Sequence, residues 1–494
     1  MCLFSLVLLC ANLSAQSSAP VHGPARLRPA VTPITIPALF LSDIHFDPFL
    51  DPTKTVALNS APAADWPRIL AAPSTQTLTA AQQSAFAACS SDKDPGTDTS
   101  YALWQSTLAE LKRAASPSRF VVLSGDLLAH KFDCKYKALI PGANSAGYLA
   151  FTFKTAYYVL TTLRDDLPGL PVYTTLGNND SGCVDYALDA DHDAFLAGLA
   201  PLIAEAANLT AADRATAEHD FAALGAFNAP LTALPHTRII SFDDLYLSAK
   251  YSTCSGKNDP TPAAAVLAWL KTQLDQARAA HERVWFVSHI PPGVDLYATA
   301  RKLTNVCGGG KSTLFLGSDD LAQTLAAYSD VVRLAIFGHT HDDELRLLTP
   351  EKDGSEISGV PVKIVGSVSP VHGNRPTFTL ARVNPAAATL ADYSVMMASY
   401  PTAAPITWSR EYTYSTTYHQ PAFDPASLTA LIADFQNDPG DKAATSQAYI
   451  RFYYPAASDM ATANAAIISV AWHPYVCSLS HMSSKSFAAC ACGK

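Results

Sequence analysis

Short apolar runs recur at wide intervals along the chain, and each run ends in small or polar residues. Six of these runs have the length of a strand and are rich in β-branched or aromatic residues: 38–43, 119–126, 172–180, 284–289, 333–339 and 362–367. Longer segments with helical spacing lie between them, at 101–115, 148–167 and 262–280. Strands that alternate with helices predict an α/β fold in which central β-sheets are flanked by helices.

The spacing of these runs also predicts how the chain is divided. The runs predict one large α/β domain over 36–399, and the Ala/Pro/Ser-rich stretch at 51–97 predicts a long surface insertion within it. After residue 400 the pattern changes, and a helix is predicted to begin near Pro425. We therefore expect residues 400–494 to form a mainly helical, cysteine-bearing C-terminal subdomain.

The N-terminus carries an apolar run from Leu3 to about Ala11, which has the length of a signal-peptide core and is too short to span a bilayer. Residues 1–19 therefore predict a signal peptide and a secreted or periplasmic protein. No later run has the length of a transmembrane segment. Two of the ten cysteines lie in this leader, and the even number that remains predicts disulfide bonds, with a few free buried thiols as the alternative.

Composition narrows the class of partner. Charged residues make up 16% of the 494 residues and hydrophobic residues 49%, which is typical of a globular chain. The formal net charge of -9 argues against binding to duplex nucleic acid or to anionic membrane surfaces. An anionic substrate would therefore need a local source of positive charge, which metal ions supply. Nothing in the sequence fixes the oligomeric state.

Seven potential metal ligands follow the strand-like runs. They are Asp43, His45, Asp126, Asn178, His289, His339 and His341. Asp43 and His45, like His339 and His341, are two positions apart, so both members of each pair can reach one cation from an extended stretch. One cation rarely has seven protein ligands, but two cations that share one carboxylate can together have seven. Such a pair of cations is common in enzymes that cleave phosphate esters. The many imidazoles favour zinc, with manganese or iron as alternatives.

The ordered motifs "SDIH", "SGD", "GNN", "SH" and "GHTH" resemble those of the calcineurin-like metallophosphoesterases over about 38–345. The longer blocks "LSDIHFDP", "SGDLLAHKF", "SHIPPGVD", "FGHTHDDELR" and "SVSPVHGNRPTF" resemble those of the acid sphingomyelinase-like phosphodiesterases. The resemblance implies the calcineurin-like metallophosphoesterase fold and a metal-dependent phosphoric diester hydrolase. It also implies a disulfide bond between Cys477 and either Cys490 or Cys492.

The resemblance further implies which residues hold two divalent metal ions. One metal would be bound by Asp43, His45, Asp126 and His341, and the other by Asp126, Asn178, His289 and His339. Asp126 would bridge the two ions. A hydroxide between them would attack phosphorus in line with the leaving oxygen, because two cations lower the pKa of bound water.

The chain departs from the family at Asn179, where the family has a histidine that protonates or stabilises the leaving group. An amide can donate a hydrogen bond to a phosphate oxygen, but it cannot release a proton. His130 matches the family's second active-site histidine, so our hypothesis makes His130 the general acid and Asn179 a catalytic donor that binds and orients the phosphate. The alternative makes His130 a residue that fixes a metal ligand. His372, in "PVHGNRP", is a further candidate for substrate binding.

The sequence leaves more than one substrate class open. The "GNND" motif also occurs in endopolyphosphatases, so phosphoanhydride cleavage is an alternative, although the chain carries only scattered cations near its motifs. No segment resembles the saposin-like domain that presents lipids in some relatives, so we expect a small soluble nucleotide-like phosphoester rather than sphingomyelin. A non-catalytic protein that binds a phosphate ligand is the remaining alternative.

Overall fold

Two six-stranded β-sheets form the centre of the molecule. They are seen in a computed structural model that describes residues 34–74, 76–90, 95–189, 193–300, 302–350, 359–399, 405–455 and 471–493. The predicted signal peptide at 1–19 lies outside these residues. The predicted arrangement of central sheets flanked by helices is confirmed, and each of the six apolar runs contributes a strand.

The first sheet has the strand order β12-β11-β10-β1-β2-β3. Its strands are β1 Ile36–Leu41, β2 Val121–Leu123, β3 Val172–Thr174, β10 Thr377–Asn384, β11 Thr389–Ala398 and β12 Trp408–Thr413. The strands β1, β2 and β3 are parallel, so their carboxyl ends meet at one edge of the sheet. The other three strands extend the sheet in antiparallel fashion on the far side of β1.

The second sheet has the order β4-β5-β6-β7-β9-β8. Its strands are β4 Ala226–Pro230, β5 Thr237–Phe242, β6 Arg283–Val287, β7 Val332–Phe337, β8 Glu344–Leu348 and β9 Val360–Ile364. The four inner strands are parallel, and both edge strands are antiparallel to their neighbours. Buried aromatic rings join the two sheets: the Trp285 ring of β6 lies 5.9 Å from Phe40 of β1 and 5.6 Å from Phe120.

Helices cover both sheets, and the three that the sequence predicts are present. They are α4 Tyr101–Ala115, α6 Ser145–Asp166 and α9 Thr261–Ala279. The other helices of the described catalytic region are α1 Thr55–Ser60, α2 Trp66–Ala71, α3 Ala80–Ala87, α5 Phe132–Leu139, α7 Ala194–Ala206, α8 Ala211–Leu224, α10 Leu296–Ala300, α11 Leu303–Cys307 and α12 Asp320–Ala327. Helix α4 begins after Ser100, whose hydroxyl accepts a hydrogen bond from the Leu103 amide at 3.0 Å.

The C-terminal segment is mainly helical but also contributes the edge strand β12 to the first sheet. Its helices are α13 Tyr414–Tyr418, α14 Pro425–Gln436, α15 Ala444–Tyr453, α16 Trp472–Ser478 and α17 Ser484–Ala491. Helix α14 begins at Pro425 as predicted, and the Asp424 carboxylate caps it by accepting from the Ser427 amide. Residues Thr35–Lys494 form one compact unit, and the domain boundaries at 36–399 and 400–494 stay a prediction.

Four disulfide bonds join the eight cysteines that follow the predicted signal peptide: Cys89–Cys134, Cys183–Cys254, Cys307–Cys492 and Cys477–Cys490. The prediction of disulfide bonds is confirmed, and Cys477 pairs with the first of its two expected partners. Two of the bonds involve the C-terminal tail: Cys307–Cys492 links it to α11, and Cys477–Cys490 lies within it. No helix in the described ranges is both long and apolar enough to cross a membrane.

Candidate metal centre

The loops after β1, β2 and β7 turn sharply, and five of the predicted ligands adopt a left-handed backbone there. Their φ angles are 49° at Asp43, 44° at His45, 58° at Asp126, 74° at His339 and 63° at His341. Residues with a Cβ rarely adopt this conformation, which costs of order 1–3 kcal/mol each and is concentrated at functional sites. These turns bring side chains from both sheets to one buried centre.

Asp43, Asp126 and His289 form the first group of this centre. The His289 Nε2 atom lies 3.1 Å from Asp126 Oδ2 and 3.9 Å from Asp43 Oδ1. All three side chains are buried, and their ligand atoms lie within 4.8 Å of one another. Two carboxylates and an imidazole at these separations can share a divalent cation.

His45, His130 and His341 form the second group. The His45 and His341 Nε2 atoms are 3.2 Å apart, and the ligand atoms of all three histidines lie within 4.8 Å of one another. The first group adjoins the second: His45 Nε2 is 3.4 Å from Asp126 Oδ2, and His341 Nε2 is 3.4 Å from Asp43 Oδ1. The two carboxylates therefore lie close to imidazoles of both groups.

Asn178 and His339 complete the predicted set. The Asn178 Oδ1 atom is buried and has no hydrogen-bond partner among the described residues, while its Nδ2 donates to Asp185 at 2.8 Å. The His339 ring lies 5.2 Å from the His289 ring, and the His339 backbone amide donates to Asp43. An unpaired buried amide oxygen is unfavourable, and a cation would satisfy it. The donor set and this oxygen fit the dimetal centre that the fold implies.

The buried carboxylates favour positive charge at the centre. Burial opposes a charge on His45, but the Asp126 and Asp43 carboxylates outweigh it and raise the pKa of His45 to about 9. Burial and the neighbouring His289 lower the pKa of His339 to about 3, which leaves a neutral imidazole, the form that binds metals. A bound cation would supply the positive charge that protonated imidazoles otherwise provide next to these carboxylates.

Two backbone carbonyls orient the ligand imidazoles. The Nδ1 atom of His45 lies 2.8 Å from the Leu128 oxygen, and that of His289 lies 2.7 Å from the Ser124 oxygen. A backbone acceptor at Nδ1 fixes the ring and leaves Nε2 facing the centre. Both carbonyls belong to the loop that carries Asp126, so one loop positions ligands from two other strands.

Asp180, the last residue of "GNND", joins this loop to the next. Its carboxylate accepts from the backbone amides of Leu127, Leu128 and Gly177 at 2.8–3.0 Å. Burial and the nearby Asp126 raise the pKa of Asp180 to about 7. No motif in the sequence predicted a role for this residue. Its position directly after the two asparagines was the only signal available.

Asn179 lies beside Asp126 and holds its carboxylate. The Asn179 backbone amide donates to Asp126 Oδ1 at 2.8 Å, and its side-chain Nδ2 donates to Oδ2 at 2.9 Å. Burial opposes the charge on Asp126, but His289, His45 and the Asn179 amide outweigh it and hold the pKa of Asp126 well below its usual range. One amide hydrogen of Asn179 is thus already committed to a predicted metal ligand.

His130 is held by Asp98, a residue that the sequence analysis did not identify. The two Asp98 oxygens contact the His130 backbone amide and its Nδ1 atom, each at 2.9 Å. Ser369 also donates to Asp98, and Lys135 lies 3.7 Å away. Burial opposes the charge on Asp98, but His130 and Lys135 outweigh it and hold its pKa well below the usual range. No spacing pattern marks Asp98, because it lies in an irregular loop before α4.

His130 and His372 border the imidazole group from outside. The His130 ring stacks on the His45 ring, with centroids 4.1 Å apart. The His372 ring lies 4.6 Å from the His341 ring and 5.8 Å from that of His130. The structure thus brings all ten predicted site residues to one place.

Comparison with known proteins defines the class. The calcineurin-like phosphoesterase family matches residues 36–343, which is more than half of the chain. The chain belongs to this family. The prediction of a metal-dependent phosphoesterase with this fold is therefore confirmed.

The curated relatives are more specific. The cyclic GMP-AMP phosphodiesterase SMPDL3A of Mus musculus is 24% identical over 373 residues, which cover 72% of this chain and 74% of that protein. SMPDL3A of Homo sapiens is 24% identical over 349 residues, covering 68% and 69%. The sphingomyelinase phosphodiesterase C of Dictyostelium discoideum is 24% identical over 252 residues, covering 51% and 49%. These relatives confirm the resemblance to the acid sphingomyelinase-like phosphodiesterases.

Proposed function

We propose that the protein is an exported binuclear-metal phosphodiesterase that hydrolyses phosphodiester or phosphoanhydride bonds of small soluble nucleotide-like substrates. The observation that carries the proposal is the buried cluster of two carboxylates and several imidazoles, together with the unpaired, buried Oδ1 of Asn178. That set suits cations and has no evident structural use without them. Family membership and the names of the relatives support the hydrolysis of phosphoric diesters.

The proposed ligands divide into two sets that share one carboxylate. They are Asp43, His45, Asp126 and His341 for one ion, and Asp126, Asn178, His289 and His339 for the other. When bound, two divalent cations lower the pKa of a coordinated water and neutralise charge on the phosphoryl group. Zinc is our first choice of metal because four of the seven ligands are imidazoles, with manganese or iron as alternatives.

His130 is the proposed general acid. Asp98 binds its Nδ1 atom and fixes the ring, so Nε2 is the nitrogen that can give a proton to the leaving oxygen. Asp98, its charge favoured by Lys135, also stabilises the protonated imidazole that such a role requires. In this proposal His372, whose ring is adjacent to those of His341 and His130, contacts the substrate.

Asn179 has a double role in this proposal. Its Nδ2 group carries two hydrogens, of which one binds Asp126 and the other remains for a phosphate oxygen. The side chain therefore links the orientation of the bridging carboxylate to that of the substrate. It donates no proton, so release of the leaving group depends on His130.

Two half-exposed aromatic rings support a nucleotide-like substrate. The Tyr186 and Phe315 rings lie edge-on to His339, with centroids 6.4 and 6.1 Å from it, and Lys250 lies 4.6 Å from the Tyr186 centroid. Aromatic faces stack on nucleobases, and a lysine pairs with phosphate. Sphingomyelin hydrolysis is the second candidate, because some relatives carry that name.

A substrate panel tests the proposal. The full-length protein, expressed with export, is loaded with zinc or manganese and assayed with cyclic dinucleotides, nucleoside triphosphates, sphingomyelin and polyphosphate. We expect turnover to be highest on nucleotides and to disappear after chelation. A protein that holds two metal ions but turns over none of these substrates would instead be a binding protein.

The four disulfide bonds support an exported protein, because such bonds persist in oxidising compartments. We propose that residues 1–19 direct this export as a cleaved signal peptide. N-terminal sequencing of the mature protein tests it: a new terminus after Ala15 or Ala19 is expected. A secreted protein that retains Met1 would contradict cleavage.

A further inference from the structure

A cavity of about 140 Å³ opens beside the two residues that the proposed function makes catalytic. It is lined by His130 and Asn179 together with Lys131, Tyr148, Val184 and Asp185, among others. Of these six, none is among the proposed metal ligands. The cavity is therefore a space next to the centre rather than the centre itself.

We propose that this cavity is the leaving-group subsite, and that it accepts an uncharged group of about one sugar ring in preference to a phosphate. The inference rests on the proposed function, because it takes His130 as the acid. Hydrolysis breaks the bond between phosphorus and the leaving oxygen, and water supplies the new oxygen on phosphorus. The leaving oxygen departs as a hydroxyl with the proton of His130, so the rest of the leaving group lies on the His130 side.

The volume limits what the cavity can hold. An engineered cavity of about 150 Å³ is known to admit one benzene molecule, so the space here suits one ring or a short chain. It is too small for a complete nucleoside or for the two chains of a lipid. A larger leaving group would place only its first ring here and extend its remainder into solvent past Val184, whose side chain is 38% exposed.

The charges that line the cavity oppose a second anion. Asp133 and Asp185 contribute carboxylates, whereas Lys131 is the one lysine or arginine among the lining residues that the structure describes. His130, protonated as the acid, also lines the cavity, but the Asp98 carboxylate lies 2.9 Å from its Nδ1 atom and balances that charge. Asp133 lies 3.3 Å from Lys137, an exposed pair that neutralises it only in part. A phosphate leaving group would therefore meet net repulsion, whereas a sugar hydroxyl would not. This repulsion would favour the hydrolysis of diesters over the hydrolysis of polyphosphate at the same centre.

The test varies the leaving group and keeps the retained group constant. The zinc-loaded enzyme is assayed with the methyl ester of AMP, the ester of AMP with the 5-hydroxyl of ribose, and ADP, whose leaving group is phosphate. We expect the wild type to prefer the ribose ester to ADP. In Val184→Trp the new ring fills the cavity, so kcat/KM should fall about tenfold for the ribose ester and stay within about twofold for the methyl ester.

A second variant tests the charge, and a third is the control. Asp133→Asn should raise kcat/KM for ADP about threefold relative to the methyl ester, since it removes one repelling charge. Val56→Trp is the matched control, because Val56 is 40% exposed on α1, which contributes no lining residue. We expect it to leave all three rates unchanged.

The outcomes separate this inference from the proposed function. If the wild type hydrolyses none of the esters, the proposed function fails. If it hydrolyses them but Val184→Trp slows the methyl and ribose esters equally, or slows neither, the subsite is overturned. A wild-type preference for ADP that Asp133→Asn does not change would also overturn it.

Discussion

The candidate metal centre and the side of the site that carries the proposed proton donor are adjacent but are built differently. The metal ligands lie directly after strands, and backbone turns such as those at Asp43 and Asp126 aim them inward. His130 is instead held by Asp98, 32 residues earlier, which Ser369 contacts from 271 residues away. Substitutions in the first region should therefore remove all activity, whereas substitutions in the second should change which leaving groups depart.

The largest effect is expected for Asp126→Asn. The carboxylate lies 3.1 Å from His289 and 3.4 Å from His45, so its loss removes the charge that holds the centre together. Metal content, measured by mass spectrometry, and phosphodiesterase activity should be lost together. Asp165→Asn, an exposed acid on α6, serves as the control. An Asp126→Asn protein that keeps metal and activity would show that the ligand assignment is wrong.

A selective effect is expected for His130→Ala. Esters with poor alkyl leaving groups should slow by about a hundredfold, because an alkoxide needs a proton to depart. Activated aryl esters should slow only slightly, since a nitrophenolate leaves without one. The measurement is kcat/KM across a series of leaving groups, and exposed His219 replaced by Ala is the control.

Equal losses across that series would contradict the role of His130 as the acid. They would favour the alternative that it fixes a metal ligand, since its ring stacks on His45. Metal content decides between these readings. A variant that loses the acid keeps both ions, whereas one that loosens His45 binds metal more weakly.

A smaller effect of the same kind is expected for Asp98→Asn. The substitution keeps the shape but removes the charge that orients His130 Nδ1, so poor leaving groups should slow by about tenfold. Combined with His130→Ala it should cause little further loss, because the two residues act as one unit. Ser369→Ala, which removes only a second contact to Asp98, is the control. Additive losses would show that Asp98 acts independently of His130.

The same contrast explains what the sequence could predict. Candidate ligands after strands can be predicted to lie together, because the strand pattern is local and parallel strands bring their ends together. Asp98 and Asp180 could not be assigned, because their roles depend on contacts 32 and 53 residues away. The edge strand β12 was also missed: "WSREYT" has three successive polar residues between its two aromatic ones, and only its pairing with β11 makes it a strand. Tertiary contact, rather than local pattern, determines these features.

The smallest effect is expected for Tyr186→Leu, whose ring lies beside His339 with centroids 6.4 Å apart. With one leaving group in common, thymidine 5′-(p-nitrophenyl) phosphate differs from methyl p-nitrophenyl phosphate only in the retained group. Loss of the ring should raise KM for the thymidine ester about fivefold, since stacking on a base contributes about 1–3 kcal/mol. The methyl ester should be unaffected.

Tyr186→Phe keeps the ring but loses the hydroxyl that Lys250 contacts at 3.3 Å, so it should behave like the wild type toward the base. If both variants raise KM equally, Lys250 rather than the Tyr186 ring binds the substrate. This part of the site would then select for the charge of the phosphate and not for a nucleobase.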